Sequence, residues 1–101
     1  MDASTAASLL EAMGNPVRLR ALIELRRAGD AGLSVGALQE RLGIDAKSTL
    51  SNHLRQLVHA GLVTQERRST VLLCRAPAGP LAGLVDFLTR AALTPGDMPT
   101  A

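Results

Sequence analysis

Ser48, Asn52, Arg55, Gln56 and His59 recur at spacings that place them on one side of a helix turning 100° per residue, with Leu50, Leu54, Leu57 and Val58 on the other. The polar side has the chemistry of edge recognition. Asn and Gln each offer a donor beside an acceptor, matching the major-groove edge of adenine. Arg offers two donors that match guanine, and Ser gives or takes a single bond. Ser51 and His53 flank this face, and Lys47 stands at the head of the same segment. Farther on, Arg67 and Arg68 separate two short β-prone runs, where a hairpin tip would carry them to a phosphate backbone or a minor groove. A solvated helix face has the same look, and arginines at a hairpin tip also stop strand edges from pairing with other chains. The two features in one short segment favour double-stranded DNA as the partner.

The charge follows that placement. The chain has 101 residues and a formal net charge of only +2. Residues 46 to 75 nonetheless carry Lys47, Arg55, Arg67, Arg68 and Arg75 against one acid, Glu66, while the first 45 residues are nearly neutral. A basic segment on a neutral body suits a polyanion. Phe87 is the only aromatic residue besides the two histidines, which disfavours modules that stack single-stranded bases on rings. The single cysteine leaves no internal disulfide and no signal-peptide pattern is present, so a cytoplasmic location is expected. No apolar run approaches the roughly 20 residues needed to cross a bilayer, and no membrane partner is expected.

Periodicity and punctuation outline the elements that hold these residues. Leu9, Leu10 and Met13 mark a first helix, Ala6 to Met13. Asn15 caps a second with Pro16 at its first position; Leu19, Leu22 and Ile23 form its inward stripe, and Gly29 ends it. Residues 30 to 33 read as a loop. Ser34 caps a third helix, Val35 to Leu42, and after Gly43 a fourth runs from its cap Asp45 to about His59. Two short helices across a glycine-containing turn make a helix-turn-helix. Leu62 to Glu66 and Thr70 to Arg75 read as a hairpin with Arg67, Arg68 and Ser69 at its tip. A last helix spans about Leu81 to Leu93, and residues 94 to 101 read as a disordered tail. The expected fold is mainly α with a small β-hairpin, in the order α-α-α-α-β-β-α. It forms one domain over residues 1 to 93, small enough for pairing with a second copy to add useful burial.

The runs Asn15-Pro16-Val17-Arg18-Leu19, Ser51-Asn52-His53-Leu54 and Ala60-Gly61-Leu62-Val63 resemble the ArsR/SmtB family of winged helix-turn-helix repressors, over about residues 8 to 93. The resemblance implies that the fourth helix enters the major groove and that the hairpin is the wing. By position it gives Ser51 and His53 DNA-contact roles, with Asn52 and Arg55 as neighbours. It also implies a homodimer through the first and last helices, which places Leu9, Leu10, Met13, Leu81, Leu84, Val85 and Leu88 at the interface. The sequence departs from the family pattern in two places: Leu50 follows Gly43 by seven positions where six is usual, and Ser69 stands where glycine is common.

Many members of that family sense metals through cysteines, or through Asp and His pairs on the last helix. Here the last helix has Asp86 but no histidine, and Ala91, Ala92 and Leu93 stand where some relatives carry adjacent cysteines. No metal or cofactor is expected, and a small inducer is allowed for without residues that name it. Cys74, in the apolar run Val71-Leu72-Leu73-Cys74, reads as a small core residue, with a thiol sensor as the alternative. Ser51 and His53 lie on different helix faces and no phosphate loop is present, so no enzyme is expected. The sequence thus points to a homodimeric repressor that reads a near-palindromic operator. The alternatives are a thiol-switch repressor using Cys74 and a winged-helix module that binds protein through Leu81 to Leu93.

Overall fold

The computed structural model describes residues 1–93, 95 and 96. The expected tail at 94 to 101 lies largely outside the described residues. Among the described residues, five α-helices and a three-stranded antiparallel sheet share one leucine-rich core. Helix α1 (Ala3–Met13) starts earlier than the apolar pattern suggested, because the Asp2 carboxylate accepts the Thr5 N–H at 2.7 Å and caps it. That same bond holds the Asp2 carboxyl below its ordinary range. Helix α2 (Pro16–Ala28) opens as expected: Asn15 Oδ1 accepts from the N–H groups of Val17 at 2.9 Å and Arg18 at 3.2 Å, and Pro16 needs no partner there. Its inward stripe is corrected. Ala21, Leu22 and Leu25 are buried, whereas Leu19 and Ile23 are each 42% exposed.

Residues 30 to 33, expected as a loop, feed a strand. β1 (Leu33–Ser34) pairs antiparallel with β3 (Val71–Arg75), which also pairs with β2 (Thr64–Arg68), giving the order β1-β3-β2. The approach depends on Gly32, at φ 68°, where a Cβ would fall within 2.5 Å of the Cys74 carbonyl oxygen. Helix α3 (Val35–Leu42) is capped by Ser34 Oγ, which accepts the Ala37 N–H at 3.0 Å. Gly43 then takes the left-handed conformation that reverses the chain.

Helix α4 (Lys47–His59) begins after Ala46, which offers no side-chain cap. Asp45 is therefore not its cap. Asp45 lies inside the turn, where its carbonyl accepts the Gln39 side-chain amide at 3.1 Å and ties the turn back to α3. The hairpin is also shifted. Leu62 and Val63 are both buried, which adjacent residues of one strand cannot be on a single inner face, so β2 begins only at Thr64. β2 runs on through Arg67 and Arg68, which pair with Leu72 and Val71, and the turn is Ser69-Thr70, with Ser69 at φ 57°. Helix α5 (Ala78–Leu88) starts ahead of its expected Leu81 because Pro80 fits within the first turn, where N–H groups have no helical partner. A wider turn over Thr89–Leu93 continues it.

The core joins Leu9 of α1, Leu22 and Leu25 of α2, Leu38 and Leu42 of α3, and Leu50, Leu54 and Leu57 of α4, with Leu62, Val63, Cys74 and Leu84. Val58, expected to face inward, is 37% exposed. Burial of each leucine contributes about 1.5–3 kcal/mol, so the three leucines of α4 fix that helix firmly by its inner side.

Candidate nucleic-acid interface

Because Leu50, Leu54 and Leu57 are no more than 1% exposed, the rotation of α4 about its axis is settled. Ser48, Asn52, Arg55, Gln56 and His59 all point to solvent, as the spacing required. Arg55 Nη1 donates to Asn52 Oδ1 at 3.3 Å, linking the two exposed side chains. Ser51 and His53 are half-buried on opposite flanks. Ser51 borders the wing, and His53 borders α2.

The wing lies across a groove from α4. One part, about 440 Å³, is lined by Lys47, Ser51, Arg67 and Thr70 together with the start of α3. A second part, about 190 Å³, lies between Ser51, Arg55 and Val58 on α4 and Gln65 and Leu72 on the hairpin. Cationic side chains thus stand on both banks.

Strand alternation divides the two arginines that the sequence treats as a pair. Arg67 sits opposite Leu72, and Gln65 opposite Cys74, on the face that meets α4. Glu66 and Arg68 face the other way. There Glu66 Oε1 accepts from Arg75 Nη1 at 2.8 Å and lies 3.3 Å from Arg68 Nη2. The Arg75 and Arg68 guanidiniums hold the Glu66 carboxyl below the ordinary carboxylate range. Arg68 therefore has an acid beside it, while Arg67 faces the groove.

Sequence reasoning missed Arg18. Its Nε donates to the Ala12 carbonyl at 2.6 Å, and its Nη1 lies 3.4 Å from His53 Nδ1. Only the fold brings α1, α2 and α4 to one point, so spacing along the chain gave no signal beyond the Asn15-Pro16 cap that sets the start of α2.

Cys74 is fully buried in the central strand, accepts a 3.5 Å contact from Gln65 Nε2, and has its thiol pushed above the ordinary range by burial. Asp86 is tied to Arg90 one turn on, at 3.2 Å. Among the described residues no three His, Cys, Asp or Glu side chains converge, and no helix is long and apolar enough to cross a membrane. On α1 and α5, Leu9 and Leu84 are consumed by the chain's own core. Leu10 is 43% and Val85 62% exposed, with Met13, Leu81 and Leu88 half-buried around them.

Residues 13–66 match a family model described as a helix-turn-helix domain. The fold is similar to that of reduced HlyU from Vibrio cholerae, at 34% identity over 86% of this chain and 87% of that one, with a TM-score of 0.68. It is similar to the transcriptional repressor BigR from Xylella fastidiosa at 32% identity, covering 87% and 86% of the two chains with a TM-score of 0.70. An ArsR-like transcriptional regulator from Rhodococcus sp. RHA1 matches at 28% identity over 86% of this chain and 78% of that one, TM-score 0.72. A search of curated protein sequences gave no match.

Proposed function

The chain belongs to the ArsR family of winged helix-turn-helix regulators, DNA-binding transcriptional repressors and not enzymes, and from that premise we propose that it acts as a cytoplasmic homodimer on a near-palindromic operator. Two α4 helices enter major grooves about one helical turn apart, and repression follows from occupying that DNA. Asn52, Arg55, Gln56 and Ser48 meet base edges, Ser51 and His53 act from the flanks, and Lys47, Arg67 and Arg68 meet phosphates. The second copy covers the apolar face that Leu10 and Val85 leave open on α1 and α5, with Met13, Leu81 and Leu88 at its margin and Leu9 and Leu84 supporting it from beneath.

The observation that carries this reading is the polar face of α4, held outward by three buried leucines and fronted by a groove with Lys47 and Arg67 on its banks. Fluorescence anisotropy on the duplex upstream of the protein's own gene tests it. Affinity should fall steeply with salt and depend on both half-sites. Asn52→Ala should lose about 1–3 kcal/mol of discrimination at one base position while leaving affinity for scrambled duplex nearly unchanged. Equal loss on scrambled and operator duplexes would overturn the assignment of α4 to base reading. The burial of Cys74 favours packing over sensing: a thiol switch there requires the sheet to open first.

A further inference from the structure

We propose that Arg18 is a positioning residue for DNA recognition: it fixes the His53 ring as the tautomer protonated on Nε2, so that His53 meets DNA as a hydrogen-bond donor. The inference rests on the reading of α4 as the DNA-contacting helix.

An arginine guanidinium donates and never accepts. With Arg18 Nη1 3.4 Å from His53 Nδ1, the favourable arrangement makes Nδ1 the acceptor and leaves the ring proton on Nε2. Arg18 is itself held at both ends. Asn15 Oδ1 caps its backbone N–H at 3.2 Å, and its Nε donates to the Ala12 carbonyl at 2.6 Å, in the last turn of α1. The guanidinium is half-buried, its Nε and Nη1 committed to these neighbours, and it sits on the α2 side of α4, away from the groove bounded by the wing. Arg18 also borders a pocket with Gln56 and His59, but among the described residues its one bond to α4 is to His53, and its effect on DNA passes through that bond. The same bridge joins the end of α1, on the apolar side of the molecule, to the reading helix. A base acceptor such as guanine O6 or N7 suits Nε2–H, whereas the other tautomer would meet these atoms with a lone pair.

The first test is spectroscopic and needs no DNA. Two-bond proton–nitrogen correlation spectra at about pH 9, where imidazole is neutral, report the tautomer of each ring. His59 has no such partner among the described residues and serves as an internal reference. In the unmodified protein, His53 should carry its proton on Nε2, with Nδ1 displaced from its position in His59 by accepting a bond. Arg18→Met should abolish that displacement. A proton on Nδ1 of His53, or an identical His53 spectrum in Arg18→Met, overturns the proposal.

The second test reads DNA. Arg18→Met should weaken operator binding roughly five- to tenfold, the scale of one lost hydrogen bond, without altering the salt slope or the affinity for scrambled duplex. Arg18→Lys, which keeps one of the two bonds, should fall between. Should Arg18→Met fail to fold, the His53 variants decide: His53→Asn, whose amide mimics Nδ1, should lose more operator affinity than His53→Gln, whose amide mimics Nε2. The reverse order refutes the donor role. If the unmodified protein binds no operator at all, the DNA reading fails, while the spectra still decide the tautomer.

Discussion

The α4 and wing side of the molecule and the α1 and α5 side are built from amphipathic segments of the same kind, and both hang on one leucine core. Their outer faces differ. On the α4 side the exposed groups are polar apart from Val58 and Val71, and the cations Lys47, Arg55 and Arg67 are gathered there. On the other side Ser4, Ser8, Glu11 and Asp86 are exposed too, but Leu10 and Val85 stand among them at 43% and 62% exposure and gain nothing from solvent. A face of the first kind is stable uncovered and gains from a polyanion. A face of the second kind is stable when a similar apolar face covers it.

Substituting on the apolar side should have the largest effect. Val85→Asp places a charge where the proposed partner copy packs. It should convert the protein to monomers in sedimentation velocity and weaken binding to a two-half-site operator by 100-fold or more, because linked half-sites multiply affinity by about 10²–10⁴. Binding to a single half-site should hardly change. A Val85→Asp protein that remains dimeric would place the dimer face elsewhere.

Within the other side, the sharper contrast is between adjacent arginines. Arg67→Ala should reduce the salt slope of DNA binding by about 0.9, the loss of one phosphate contact. Arg68→Ala should reduce it less, because Glu66 already draws on that guanidinium at 3.3 Å. Equal slopes for the two variants would mean that the hairpin reorients on DNA.

How much of this was legible in the chain depends on the range of the forces involved. The rotation of α4 was legible because Leu50, Leu54 and Leu57 repeat at helical spacing, and the caps Asn15 and Ser34 because each bonds within three residues. The two-residue strand β1 has no room for a period, so only its pairing with Leu73 and Cys74 reveals it. The Arg67 and Arg68 division depended on whether β2 ends at Glu66 or runs on through Arg68, which is decided by the pairing of these residues with Leu72 and Val71. Leu19, Ile23 and Val58 were misplaced because apolar character marks what can be buried, not what this one chain has enough surface to bury. Arg18 and His53 are 35 residues apart, beyond any local signal.

Smaller effects follow from the turn and the ion pairs of the wing. Ser69 holds φ 57°, which costs a residue with a Cβ about 1 kcal/mol. Ser69→Gly should raise stability by a few tenths to about 1 kcal/mol in urea unfolding, the relief of strain exceeding the extra freedom of the unfolded chain. A loss of stability would mean that the Ser69 side chain itself bonds the tip.

The smallest effect concerns Glu66, whose exposed carboxyl is lowered first by its bond from Arg75 and then by Arg68. Since its folded value lies below its unfolded one, the folded state favours the ionised form. The contribution to stability is complete above the ordinary carboxylate range and disappears as pH falls through the lowered value. Glu66→Gln should therefore flatten the acid side of the stability profile slightly while leaving the neutral side almost level, since exposed ion pairs are worth little. On DNA the same change should act in the opposite direction. With Arg68 released from its carboxylate, binding to scrambled duplex should strengthen modestly at low salt, and the difference in salt slope between Arg67→Ala and Arg68→Ala should narrow in the Glu66→Gln background. A difference that stays the same would show that strand direction, rather than the neighbouring acid, separates the two arginines.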